Sequence, residues 1–491
     1  MGDTELTEDE LLQIKHCKNA VINAPAGHGK TEMVAELVSF LSGKQLILTH
    51  TNAGVEAIKK RMIKKNVQSS GYTILTIAAF CSMWGAAYHW TAKIDARLSS
   101  IDKTERQKYY AQLYTGCIAL FSHTWAGYIL KKIYKGIIVD EYQDCTVSQH
   151  SLIKVLNCYL PVRVFGDPLQ GIFGFKEPIV KWNKIPFKHI NITTFPWRWK
   201  NSNPKLGNYL TKLRNLLLPA VDGKHCTIDL EPKKDVLEII YPQRNLKWQL
   251  LTKIKQYESV AYLTKWEHEQ LKFCKNMGGI FQNDEKKECD ILLEYAKRID
   301  DEDKIKCALA FLEFVSECAT NVRTKFKSYF KHLTSNSFNF SKIKNYKELG
   351  LLLSVATGNS SYQGFVDLLK WFAEKKEFQI YRKILYKKML CSMQYAIDNG
   401  INLFDAAKYI YSYSSLQNRY TSFKYLSSRP LLSKGLEFDC VIIDSACKFN
   451  AMEFYVAMTR ARKMVFIISD EPHVNTGQIR ITFEASDISM G

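Results

Sequence analysis

Lys30 and Thr31 close the segment Ala24-Pro25-Ala26-Gly27-His28-Gly29, which departs from the phosphate-loop pattern G-x-x-x-x-G-K-S/T by having Ala24 at the first glycine position. In such a loop, backbone N–H groups from Ala26, Gly27, His28 and Gly29 surround an anion. The Lys30 ammonium reaches the outer phosphates, and the Thr31 hydroxyl ligates Mg²⁺. In "GIIVDEYQD" (136–144), an apolar run ends in Asp140, suited to Mg²⁺, and Glu141, suited to polarise an attacking water. "GDPLQGIFGF" (166–175) contributes Gln170, whose amide both donates and accepts, as the sensing of a γ-phosphate requires. Phe173 and Phe175 fall on one side of an extended segment, facing either bases or the protein interior. Arg198 in "FPWRW" and Arg460 in "EFYVAMTRARKMVFI" carry the charge that a transferred phosphoryl group needs, and Trp197 offers a ring to a base.

These side chains need elements to position them. Val21 and Ile22 read as a buried strand, while Met33, Val34, Leu37, Val38 and Leu41 share one helix face that Gly43 terminates. "QLILTHT" (45–51) predicts a strand, "NAGVEAIKKRM" a helix from Asn52, and "YTILTIAAF" (72–80) another strand. Residues 81–130 lose the alternation and read as a helical insertion rich in tryptophan and tyrosine. The strand–loop pattern returns at "GIIVDEYQD" and "VRVFGDPLQ", which gives a parallel α/β domain with polar residues at strand C-terminal ends. A second alternation begins at "EIIYPQ" (238–243) and "SVAYLTKWEHEQLKFCKNMG" (259–278), and resumes at "CVIIDSA" (440–446) and "MVFIISD" (464–470). Between them, residues 281–420 read as amphipathic helices. Within that block, Thr320–Lys347 holds seven lysines or arginines and no acid, interleaved with six aromatic residues. That composition suits either a single nucleic-acid strand or a helical hairpin with its rings in the core.

A formal charge of +19 points to a polyanionic partner, nucleic acid ahead of an acidic membrane surface. The 13 cysteines include no C-x-x-C pair, which favours reduced thiols over a zinc or disulfide framework. The N-terminus, "MGDTELTEDELLQ", is acidic and lacks the basic and apolar regions of a signal peptide. No apolar run approaches the ~18 residues of a membrane span. The expectation is a cytoplasmic protein with no membrane partner.

Six segments, in order, resemble the motor motifs of the UvrD/Rep-like superfamily-one DNA helicases: "APAGHGKT", "THTNAGVEAIKKRM", "VDEYQD", "GDPLQGIFGF", "SKGLEFD" and "EFYVAMTRAR". The resemblance implies an α/β fold of two RecA-like parallel-sheet P-loop NTPase domains with mostly helical insertions. The first domain would comprise residues 1–80 and 131–195, with an insertion at 81–130. The second would comprise 196–280 and 421–491, with an insertion at 281–420. ATP and Mg²⁺ are the implied cofactors, and 3′→5′ movement on single-stranded DNA the implied activity. By position, Lys30, Thr31 and Asp140 hold phosphate and Mg²⁺, Glu141 is the catalytic base and Gln170 senses the γ-phosphate. Arg198 and Arg460 complete the site, Glu437 contacts the ribose and Trp197 the base. His50, Asn52, Phe173 and Phe175 fall at DNA-contact positions. For the adenine-reading glutamine, Glu10 aligns by spacing and Gln13 is the nearby substitute.

Two departures bear on unwinding rather than on ATP chemistry. Leu431 replaces the usual histidine before "SKGLEF", and "TIAAF" (76–80) replaces "TxHSF". The short insertions resemble the helicase-like subunit of Gabija antiphage systems, which implies a separate nuclease subunit as partner. A repair helicase is one alternative. Another is an ATP-hydrolysing sensor of DNA ends that signals to a nuclease without processive unwinding.

Overall fold

The computed structural model describes residues 6–95, 106–172, 177–224, 228, 230–242, 245–284, 288–340, 343, 345–358, 361–416, 423–444 and 446–469. Its strands form two parallel six-stranded sheets, as expected for two RecA-like α/β domains. The chain divides into two compact units, residues 1–242 with 433–491 and residues 243–432.

The first sheet lies wholly in the first unit. It comprises β1 (Asn19–Asn23), β2 (Gln45–Thr49), β3 (Tyr72–Thr76), β4 (Gly136–Val139), β5 (Val162–Gly166) and β6 (Lys188–Ile190), in the order β3-β2-β4-β5-β1-β6. Parallel strands covered on both faces read as unbroken apolar runs, and β2 and β4 are buried at every position. Alternate residues serve opposite faces. Ile22, Ile47, Ile138 and Phe165 pack with Met33, Val34 and Leu37 of α2 (Lys30–Phe40) and with Ile58 and Met62 of α3 (Asn52–Lys64). Val21, Leu48, Val139 and Val164 face α4 (Ile77–Ala87), α6 (Arg106–Ser122), α7 (Thr124–Ile133) and α8 (Val147–Asn157). The described residues of 81–130 are mostly helical as expected, with Trp84, Leu113, Cys117, Leu120 and Phe121 forming part of this core. A short α5 (His89–Ala92) follows α4, and α1 (Glu8–His16) precedes the sheet.

One boundary needs correction. "YTILTIAAF" is a strand only to Thr76, where the helix α4 begins. Thr76 is both the last strand residue and the helix N-cap, its hydroxyl accepting the Ala79 N–H at 3.0 Å. An apolar run without breaks carries no sign of that handover, so periodicity misses it.

The first unit also contains β7 (Leu237–Ile240), β11 (Phe438–Asp444) and β12 (Ala461–Ile468), parallel in the order β7-β12-β11. The helix α9 (Pro204–Leu217) and a helix over Ala451–Met458 accompany them. The second unit holds β8 (Val260–Leu263), β9 (Gln282–Asn283) and β10 (Tyr425–Ser428), in the order β8-β10-β9. Its helices from Glu288–Ile299 to Leu403–Leu416 share a separate apolar core. Phe326 and Tyr329 of the basic–aromatic stretch are buried there, with Phe330, Phe338, Phe340 and Tyr346 packed against them. For these rings the structure decides in favour of the core.

Candidate nucleotide site

Register brings the C-terminal ends of β1, β4 and β5 together: Ile22 pairs with Phe165, Asn23 with Gly166, and Val139 with Val164. The loop Ala24–Gly29 leaves β1 and opens α2 at Lys30. Gly27 and Gly29 have φ of +72° and +80°, a region open to glycine at little cost. A Cβ on Gly27 would also lie 2.6 Å from the Trp199 ring. Three loop N–H groups are already used: Ala24 donates to the Gly166 carbonyl (2.9 Å), Ala26 to Asp167 Oδ2 (3.0 Å) and His28 to the Pro25 carbonyl (3.1 Å). Those of Gly29, Lys30 and Thr31 precede the first intrahelical bond, from Met33 N–H to Gly29 O, at the positive helix end that suits an anion.

Lys30 Nζ lies 2.6 Å from Glu141 Oε1 and 3.9 Å from Asp140 Oδ1. Burial alone would lower the ammonium's pKa, but Glu141 and Asp140 outweigh it and raise it, so Lys30 stays charged. Burial pushes Asp140 above the usual carboxylate range, opposed by Lys30. For Glu141, burial acts upward too, yet Lys30 and Lys434 together hold it below that range. Glu141 sits at φ +57°, an unusual conformation for a residue with a side chain, and Gln143 Nε2 donates to its Oε2. Lys434 bridges the next carboxylate, 2.5 Å from Asp144 Oδ2, and donates to the Gln170 carbonyl at 2.7 Å. Burial raises Asp144 to about 6 despite Lys434.

The arginines stand beside the loop. The Arg198 N–H donates to Gly27 O (3.0 Å), and its guanidinium bonds Thr459 O (2.5 Å) and Glu437 Oε1 (2.9 Å). Its Nε is buried without a partner among the described residues. Arg460 is 2% exposed and donates to Val456 O, Leu436 O and Thr459 Oγ1, all neutral acceptors. Burial, with Arg198 adding, lowers it to about 9, which leaves it a cation at neutral pH. Trp197 is half-buried, edge-on to Phe195 at 4.9 Å, with Lys200 over its ring. Gln170 is buried in the turn after β5, its N–H bonded to Asp167 O.

The remaining expected positions are more scattered. Glu10 closes a capping box on Thr7 and accepts the Thr193 N–H, while Gln13 is exposed on α1. His50 follows β2, with Nε2 3.5 Å from Cys145 Sγ. Burial, with Lys434 adding, lowers it to about 4, so it is neutral at pH 7. Asn52 is exposed at the start of α3. Phe173 and Phe175 lie outside the described residues.

Sequence reasoning missed a network beneath the loop. Asp167, fully buried, pairs with Arg214 of α9 at 3.1 Å and accepts from Ala26 N–H, with the Tyr455 hydroxyl in hydrogen-bond contact. Arg214 also donates to Asn23 Oδ1 (2.9 Å). It missed Lys434 as well, although that residue stands in the quoted "SKGLEF". Nothing local marks Arg214.

The residues present fit a nucleotide with Mg²⁺. Thr31 and Asp140 supply the hard oxygen donors that the ion takes, usually with phosphate and water completing its shell. The loop meanwhile offers a glycine cradle and a buried cation to phosphate. A family model described as an AAA domain matches residues 11–176. No curated protein matches the chain. Among solved structures, the chain is similar to the helicase arterivirus nonstructural protein 10, solved in complex with DNA. The match has 9% identity and a TM-score of 0.34, covering 95% of this chain and 64% of that one. This chain thus spans less than two thirds of that protein, and so slight a likeness carries no argument about function. The matched segment 11–176 contains the loop, the paired carboxylates and five of the six strands of the first sheet.

Proposed function

We propose that the chain is an ATP-dependent helicase or translocase moving 3′→5′ on single-stranded DNA. One observation carries the reading: a single compact unit gathers Lys30, the Asp140–Glu141 carboxylates beside it, and Arg198 bonded to the loop at Gly27. In this reading Lys30 and the α2 N-terminus hold the phosphates, and Thr31 and Asp140 would hold Mg²⁺, which supplies charge neutralisation at the phosphoryl oxygens. Phosphate bound at Lys30 competes with Glu141 for the ammonium and leaves that carboxylate to accept the proton of the attacking water. Arg198 and Arg460 neutralise charge developing on the transferred group. The neutral partners of Arg460 leave its charge available for an anion. Gln170 senses the γ-phosphate, Trp197 stacks on the base and Glu437 contacts the ribose.

The net charge of +19 supports a polyanionic track, with His50, Asn52, Phe173 and Phe175 as contacts. The division into two domains with insertions at 81–130 and 281–420 belongs to the same reading. Those short insertions support a role as the helicase-like subunit of an antiphage complex with a separate nuclease. Leu431 and "TIAAF" favour a second reading, a DNA-end sensor that hydrolyses ATP without processive unwinding.

The test joins an ATPase assay with strand displacement on duplexes carrying a 3′ or a 5′ tail. Lys30→Ala and Glu141→Gln should each abolish hydrolysis, and single-stranded DNA should stimulate the wild type. Hydrolysis within a few-fold of wild type in Lys30→Ala would remove the reading. DNA-stimulated hydrolysis with no displacement from either tail would select the sensor.

A further inference from the structure

The helices α5 and α7 turn aromatic rings outward. Trp90 is 85% exposed, Tyr128 64% and Trp125 39%. A ladder of rings anchors Trp125: Trp84 stacks on Tyr88 at 5.6 Å, Tyr88 meets Trp125 edge-on at 5.1 Å, and His123 stacks beside Trp125 at 6.3 Å. Trp84 is itself a core residue, so the ladder ties Trp125 to the core. Along α7, Trp125, Tyr128 and Lys132 follow at spacings of three and four, on one exposed stripe with Lys131 beside it.

The charge is one-sided. Residues 77–94 and 106–135 hold six lysines or arginines and no aspartate or glutamate, the nearest acids in sequence being Asp95, Asp102 and Glu105. Two copies of such a patch repel one another, and an apolar protein partner would gain nothing from the lysines. Flat rings beside Lys131 and Lys132, for which no ion pair is found among the described residues, suit a ligand with stacking faces on an anionic backbone.

We infer that this surface is a second binding site for single-stranded DNA, apart from the nucleotide site. Bases stack on Trp90, Trp125 and Tyr128, and phosphates are drawn to Lys131 and Lys132. The inference rests on the proposed action on DNA and adds to it a site on the helices of the first unit. A strand held there is gripped at a point that ATP does not touch, so the site governs affinity rather than hydrolysis.

The test is fluorescence anisotropy of a labelled single-stranded oligonucleotide with the full chain. Trp90→Ala with Tyr128→Ala should weaken binding about tenfold per ring. Melting temperature and DNA-free ATPase rate should stay at wild-type values, because neither ring is in the core. Lys131→Glu with Lys132→Glu should weaken binding and flatten its salt dependence by roughly one phosphate contact each. Wild-type affinity in both variants, with DNA still stimulating hydrolysis, would overturn the site and leave the proposed function standing. A wild type that binds no single strand would overturn both. Unchanged DNA affinity with lost self-association in sedimentation would make the patch a protein interface and overturn the inference.

Discussion

Asp144→Asn probes the carboxylate cluster through its pH dependence. Asp144 is 5% exposed, one oxygen pairs with Lys434 at 2.5 Å, and the other, Oδ1, has no hydrogen-bond partner among the described residues. Burial lifts this carboxyl from an ordinary 3.8 to about 6 against the pull of Lys434, with Glu141 adding to the lift. Between those values the native chain keeps a proton that the unfolded chain has released. By linkage, this group's contribution to stability falls as pH rises through that window and is level above it. A rise of about two units is worth roughly 3 kcal/mol. Asparagine keeps the shape without the charge and mimics the protonated form. The variant should therefore match wild type near pH ~4 and exceed its stability by up to roughly 3 kcal/mol at pH ~7. Urea denaturation at about pH 4.5 and about pH 7.5, in buffer without Mg²⁺ or nucleotide, measures the difference. A difference that is flat with pH, or that turns against the variant as pH rises, would refute the desolvation reasoning.

Arg214→Met should cost about 3–5 kcal/mol in denaturant unfolding, because Asp167 would remain buried with its cation gone. Adding Asp167→Asn should recover much of that loss, and no recovery would count against the pairing. Gly27→Ala forces a side chain against Trp199 at positive φ, a strain of about 1–3 kcal/mol, and should weaken nucleotide binding in calorimetry. Unchanged affinity there would separate the loop from the nucleotide. Phe326→Ala should cost about 3–5 kcal/mol of stability while leaving DNA affinity unchanged in the folded fraction, since this ring is fully buried.

The chain's local patterns already specify much of the site. The apolar runs of β2 and β4, the helical period after Thr31 and the glycines at 27 and 29 are properties of neighbouring residues, and the structure realises them as read. Local pattern fails where two elements share one apolar run, as at Thr76, because the N-cap bond replaces any visible break. It also cannot assign the rings of residues 320–347. Aromatics among lysines look alike whether the lysines line a ligand or merely reach water, and only the packing around Phe326 and Tyr329 distinguishes the cases.

What the tertiary structure alone decides is pairing across long stretches of chain. Lys434 meets Asp144 from 290 residues away, and Arg214 meets Asp167 from 47. No periodicity encodes either contact, because each depends on which strand ends the sheet order brings together. The sequence by itself thus determined which residues are the candidates for binding phosphate and activating water. The protonation states of those residues follow from burial and from cations delivered by distant segments, and both of those exist only once the chain has folded.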